Sequence, residues 1–165
     1  MKCLIVYDSF FGNTARIAKA IRGSLGSKVN VKMCRVIDAA PKQLTGLGLL
    51  IVGSPTRQFR PTKAINEFLD KLPSNSLKNV RVLAFDTRIS AADTNSRMFN
   101  VSVKLFGYAA KPIAEKLKKK GGNLLIPPEG FFVIDSEGPL KDGELERAVD
   151  WGSHAYNLVS QEVLK

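Results

Sequence analysis

The strongest chemical signal in the chain is Tyr7-Asp8-Ser9-Phe10-Phe11-Gly12-Asn13-Thr14, between an apolar run and an amphipathic segment. If a helix starts at its end, the first N–H groups lack intrahelical partners and the helix dipole presents positive charge. Such a segment can hold an anion such as phosphate. Gly12 lets the backbone approach closely, and Ser9 and Thr14 add hydroxyl donors. No Lys or Arg lies between Asp8 and Thr14, so neutral donors would do the holding. The same residues also suit a plain turn with an Asn or Ser cap, and the local sequence leaves both readings open. Two further polar segments leave apolar runs in the same way. One is Gly53-Ser54-Pro55-Thr56-Arg57-Gln58-Phe59-Arg60-Pro61-Thr62 and the other Phe85-Asp86-Thr87-Arg88. Loops at the carboxyl ends of parallel strands are where open α/β sheets bind ligands.

The elements that would position these loops alternate along the chain. Residues 2–7 read as a strand, and residues 14–25 as a helix with Ile17, Ala18, Ile21 and Leu25 at helical spacing. Residues 29–36 alternate apolar and polar side chains, as a half-exposed edge strand does, and residues 38–44 suit a short helix. The nearly continuous apolar run 47–52 predicts a central parallel strand covered on both faces. Ile65, Phe68, Leu69 and Leu72 mark a helix that stops at Pro73, and residues 80–85 read as the fourth strand. Ala109, Ala110, Ile113 and Leu117 mark a further helix, ended by Lys118-Lys119-Lys120-Gly121-Gly122. Pro127 and Pro128 interrupt the fifth strand, which predicts a broken strand or a hairpin over 124–134. A last helix from about Asp142 presents Leu145, Val149, Tyr156, Val159 and Val163. The segment 88–106 is long for a strand–helix connection. Its apolar residues Met98, Phe99, Val101, Val103 and Leu105 leave open an extra helix, a lid or a dimer contact. The alternation predicts one α/β domain over residues 1–165 with a parallel sheet.

Ser9-x-x-Gly12-Asn13-Thr14 directly after the first strand resembles the phosphate loop of the flavodoxin family, and is similar to the flavodoxin domains of flavodiiron proteins. The Walker Gly-Lys-Ser/Thr and the dinucleotide Gly-x-Gly-x-x-Gly patterns are both absent. The resemblance covers the element order of nearly the whole chain and three separate loops. It implies a flavodoxin-like, doubly wound, five-stranded parallel sheet of order 2-1-3-4-5 with helices on both faces, and bound flavin mononucleotide (FMN). It also implies that Ser9, Phe10, Phe11, Gly12, Asn13 and Thr14 hold the phosphate. Ser54, Pro55 and Thr56 would contact the ribityl chain and ring edge, with Arg57 and Gln58 beside them, and Phe59 either stacks on the ring or packs under the loop. Asp86, Thr87 and Arg88 would contact the pyrimidine side. Two departures stand out. Phe11 occupies a position where many flavodoxins carry Thr, and no Trp or Tyr occurs in the second or third loop. The second loop also has no Gly between Ser54 and Thr62, and residues other than Gly resist positive φ.

The resemblance implies an electron carrier between protein partners. The alternatives are an FMN-dependent reductase of quinones or similar acceptors using NAD(P)H, and a domain that has kept the fold without the flavin. A phosphorylation receiver is excluded, because Gly53 and Ser54 stand where it needs an Asp at the end of the third strand. The net charge is +10, and residues 1–85 hold fourteen Lys/Arg against four Asp/Glu while residues 86–165 hold eleven of each. An acidic redox partner or an anionic substrate fits that excess, as does an anionic membrane surface or a basic, solvated face with no such partner. Specific nucleic-acid binding has only charge in its favour and no groove-reading motif. No apolar run approaches the ~20 residues of a spanning helix, and the first strand begins at the N-terminus, so the sequence predicts a cytoplasmic protein. Cys3 and Cys34 fall inside strand patterns and read as reduced core residues, though on neighbouring strands a disulfide is conceivable.

Overall fold

The computed structural model describes residues 1–27 and 29–163, with side chains up to Gln161. The apolar runs become parallel strands because each must be covered on both faces by the amphipathic segments that follow it. In chain order these are β1 (Lys2–Tyr7), α1 (Asn13–Ser24), β2 (Asn30–Arg35), β3 (Leu49–Pro55), α2 (Lys63–Lys71), β4 (Arg81–Ile89), α3 (Arg97–Phe106), α4 (Ala110–Lys119), β5 (Asn123–Leu124), β6 (Glu129–Val133) and α5 (Glu144–Val163). The sheet order is β2-β1-β3-β4-β5, with β6 also paired to β4. Every pair is parallel.

Strand side chains alternate between the two faces, and the core divides accordingly. Cys3, Ile5, Leu49, Ile51, Leu83 and Phe85 pack with Ile17 and Ile21 of α1 and Ala148 and Ala155 of α5. Leu4, Val6, Leu50, Val52, Val82 and Ala84 pack with Ile65 and Leu69 of α2 and Ile113 and Leu117 of α4. Each fully buried Leu or Ile contributes about 1.5–3 kcal/mol. Gly53 belongs to this packing, since a Cβ there would stand 2.0 Å from the Phe85 ring.

Four local features differ from the sequence expectation or complete it. The fifth strand is split, with β5 pairing Arg81 and Val82 and β6 pairing Phe85–Ile89, because Pro127 and Pro128 break the ladder between them. The expected short helix over 38–44 is two 3-10 turns, Val36–Asp38 and Pro41–Leu44, since Pro41 can open a turn but not continue one. The long connection contains α3, begun by Ser96, whose Oγ accepts from the Phe99 N–H at 3.2 Å, and ended by Gly107 at φ +72°. None of its residues is buried. The last helix runs to Val163 as its periodicity predicts, but the side chain of Val163 lies outside the described residues. Both cysteines are free. Cys3 faces Val31 and Cys34 faces Val6, three residues along the ladder, or about 10 Å, so the register forbids a bridge. Burial pushes the Cys3 thiol up to about 12.

Candidate functional site

The loops after β1, β3 and β4 converge at the carboxyl end of the sheet, where the strand order reverses between β1 and β3, and enclose a cavity of about 360 Å³. That size is ordinary for a small-molecule site. Its wall contains Ser9, Phe10, Phe11, Asn13 and Thr14 from the first loop, Pro55, Thr56, Arg57, Gln58 and Phe59 from the second, and Thr87 and Arg88 from the third.

The first loop turns into α1 through Gly12 at φ +86°. A Cβ there would meet nothing within 4 Å, so the left-handed backbone and not crowding requires Gly. No side chain caps α1. The Ala15 N–H donates to Ser9 Oγ at 3.4 Å and the Arg16 N–H to the Gly12 carbonyl at 3.0 Å. The N–H groups of residues 10 to 14 have no acceptor among the described residues. Five unpaired donors at a helix start are an arrangement that can cradle an anion. The buried Thr14 hydroxyl pairs with the Thr87 hydroxyl at 2.8 Å, tying the first loop to the third. Arg35 braces the cradle from outside, donating to the Ser9 carbonyl at 3.0 Å and pairing with Asp8 at 3.4 Å. Asn13 Nδ2 donates to the Glu137 carbonyl at 2.9 Å, which draws the loop after β6 to the cavity.

The second loop is a two-residue hairpin. Arg57 and Arg60 exchange N–H···O bonds of 2.9 and 3.0 Å across Gln58 at φ +48° and Phe59 at φ +64°. Without Gly this loop was expected to resist positive φ. The paired bonds hold it there, and Phe59 gains Phe99 at 5.5 Å and Phe106 at 6.2 Å between ring centroids. A two-residue hairpin turn with both central residues left-handed is the geometry that suits strand twist, normally with Asn or Gly. The Arg57 guanidinium lies over the rings of Phe10 and Phe11, at 5.6 and 5.8 Å. Thr56 bridges outward, its N–H donating to the Thr87 carbonyl at 2.8 Å and its Oγ1 accepting from the Ala109 N–H at 3.0 Å.

The third loop centres on Asp86, which is fully buried. Its carboxylate accepts from Arg88 Nε at 2.5 Å, Arg88 Nη2 at 2.8 Å and the Ala110 N–H at 2.7 Å. Burial still pushes the Asp86 carboxyl above the usual carboxylate range, against the pull of Arg88 and these hydrogen bonds. Arg88 also stacks on Tyr108 at 4.0 Å. The absence of a side chain at Gly130 makes room for it, since a Cβ there would stand 2.1 Å from the guanidinium carbon.

Solved structures settle the architecture. A flavodoxin from the domain Archaea matches over 97% of this chain and 99% of its own, at 24% identity and a TM-score of 0.77. Flavodoxin 1 from Bacillus cereus matches over 95% and 98%, at 18% identity and a TM-score of 0.75. The fold is flavodoxin-like. A rubredoxin oxygen:oxidoreductase from Desulfovibrio gigas carries the same fold in a longer protein. There the match covers 99% of this chain and 37% of that one, at 18% identity and a TM-score of 0.72. No protein-family model matches the chain, and no curated protein sequence does.

Three of the expected site residues stand behind the wall of this flavodoxin-like cavity. Gly12 shapes the cradle through its backbone. Ser54 is fully buried, its hydroxyl accepting from the Thr62 N–H at 3.0 Å and donating to the Pro55 carbonyl at 2.9 Å. Asp86 reaches the cavity only through Arg88. Four lining residues were not anticipated: Ile89, Phe99, Val133 and Ser136. Phe99 belongs to the segment whose role the sequence left open. Val133 and Ser136 sit at and beyond the end of the split strand, where no local motif marks a site.

Proposed function

We propose that this chain binds FMN in the cavity and carries electrons between protein partners. The observation that carries the reading is the row of unpaired N–H groups at residues 10 to 14, four of them on residues that line a cavity of about 360 Å³. A phosphate monoester satisfies such a row without a cation, and the hydroxyls of Ser9 and Thr14 would add to it. The hairpin with Phe59 and Phe99 offers an apolar wall to a ring system, and Arg88, fixed by Asp86 and Tyr108, offers a held donor to a carbonyl edge. When bound, the isoalloxazine ring supplies one- and two-electron redox chemistry.

The cavity wall contains no Asp, Glu, His, Lys, Cys or Tyr among the described residues. A carrier needs no proton donor toward a substrate, whereas a reductase commonly places one there, so the lining supports the carrier. A visible absorption spectrum of the purified protein, with identification of the released chromophore, tests the cofactor. FMN should bind far more tightly than riboflavin, and equal affinities would overturn the phosphate site. Steady-state assays with NADH or NADPH and a quinone then separate carrier from reductase: sustained turnover would favour the reductase.

A further inference from the structure

Helix α3 presents a stripe of exposed apolar side chains, Met98 at 80%, Val101 at 54% and Leu105 at 72% exposure. Their i, i+3, i+7 spacing puts them on one face. The adjoining face meets Phe59 through Phe99 and Phe106, so α3 rides on the hairpin at the cavity mouth and leaves its apolar stripe exposed. Arg97 and Lys104 flank the stripe, and Arg57 and Arg60 are exposed on the hairpin. None of these four cations has a carboxylate partner among the described residues. No Asp or Glu occurs between Asp38 and Glu67 or between Asp93 and Glu115, so nothing local neutralises them. Across the mouth the sign reverses. Asp135 and Glu137 are exposed on either side of Ser136, which lines the cavity.

We propose that α3 and the Arg57–Arg60 hairpin form the docking surface for an acidic electron-transfer protein. The partner carries carboxylates around a small apolar centre and seats them on the α3 lip, away from Asp135 and Glu137. This rests on the carrier reading above and adds where the partner binds and in which orientation. An anionic bilayer fits less well, because a flat negative surface over the mouth would also meet Asp135 and Glu137. A second copy of this chain fits less well again. Two α3 stripes would bring Arg97 and Lys104 of each chain together, and a helix about 15 Å long and 10 Å wide falls far short of the ~800 Å² per partner of a stable interface. A partly apolar patch with arginines beside it suits a transient protein contact.

The test is a titration of the 15N-labelled protein with an acidic plant-type [2Fe–2S] ferredoxin at about 20 mM salt, where screening is weak. Amide signals of residues 57–60 and 97–106 should shift or broaden, and those of α4 should not. Arg60→Glu with Arg97→Glu should weaken binding at least about tenfold, an effect that shrinks as salt is added. Leu105→Ser should weaken it several-fold with an unchanged salt slope. Lys118→Glu with Lys119→Glu, at the far end of α4, should leave it unaltered. No binding, perturbation centred elsewhere, or equal loss in the α4 variant would overturn the proposal. So would sedimentation with phosphatidylglycerol vesicles, or a dimer in the ultracentrifuge, if either is abolished by Leu105→Ser. Binding is read without flavin, so a protein that docks ferredoxin but shows no flavin spectrum would refute the cofactor and leave the surface standing.

Discussion

Replacing Arg88 with Met tests whether the third loop is held by charge. The substitution keeps a similar length of stem but removes the guanidinium that donates to Asp86 at 2.5 and 2.8 Å and stacks on Tyr108 at 4.0 Å. Asp86 is then left fully buried with only neutral donors, the Ala110 N–H and the Thr56 hydroxyl. Stranding a buried charge costs about 3–5 kcal/mol. At roughly 2–4 °C per kcal/mol for a chain of this size, the melting temperature near neutral pH should fall by about 6–20 °C. The pH dependence has a definite sign. A carboxyl whose pKa is raised in the folded state lends stability at low pH that is lost as pH rises from the unfolded value through the folded one. Asp86 already lies in that class, and loss of Arg88 pushes it further. The difference between wild type and variant should therefore be small near the ordinary carboxylate range, about pH 4, and grow as pH rises above it. Adding Asp86→Asn should recover most of the loss, because an amide oxygen still accepts from Ala110 and no charge remains. Thermal melts of the flavin-free protein at several pH values measure all three. A pH-independent loss, or no recovery in the double variant, would refute the charge argument.

Thr14→Val removes a hydroxyl from the anion cradle and should weaken FMN by about 1.5–3 kcal/mol, roughly ten- to a hundredfold, with riboflavin affinity little changed; calorimetric titration reads both. Gln58→Gly relaxes a left-handed residue on an exposed turn and should raise stability by up to about 1 kcal/mol, measured by urea unfolding. Gly53→Ala drives a methyl into the Phe85 ring, 2.0 Å away, and should cost about 1–3 kcal/mol or more, measured the same way.

The fold was legible because its central strands are apolar on both faces. Runs such as Leu49–Val52 have few other uses, and the Gly and Pro punctuation between runs marks the turns. Boundaries were less legible, since β3 and β4 continue past their apolar runs into Ser54-Pro55 and Asp86–Ile89, where ladder bonds and not hydrophobicity hold the strand. Within the site, the first loop announced itself through Gly12 and its hydroxyls. The second loop was read as part of the site but not as a hairpin, because Gln58 and Phe59 occupy backbone positions that sequence rules reserve for Gly and Asn. Helix α3 did not announce itself, because its apolar residues face outward and toward Phe59, a pattern that periodicity cannot tell from a core helix. Asp86 and Arg88 were both read as ligand contacts; Arg88 lines the cavity, while Asp86 stands behind it and holds Arg88. A residue's type does not disclose which neighbour claims its charge.

The strand order has a consequence for how the molecule moves in an electric field. With β2, β1 and β3 on one side of the sheet and β4, β5 and β6 on the other, the first part of the chain lies beside the second instead of interleaving with it. Helix α5 crosses back to lie on α1, and the loop after β6 returns to meet Asn13. The unevenness of charge along the sequence, all of its excess before residue 86, thus becomes a separation between the centre of charge and the centre of mass. Such a body feels a torque as well as a pull from an approaching anion, and rotates before it collides. A strand order that shuffled the two parts would keep the same net charge and lose that rotation.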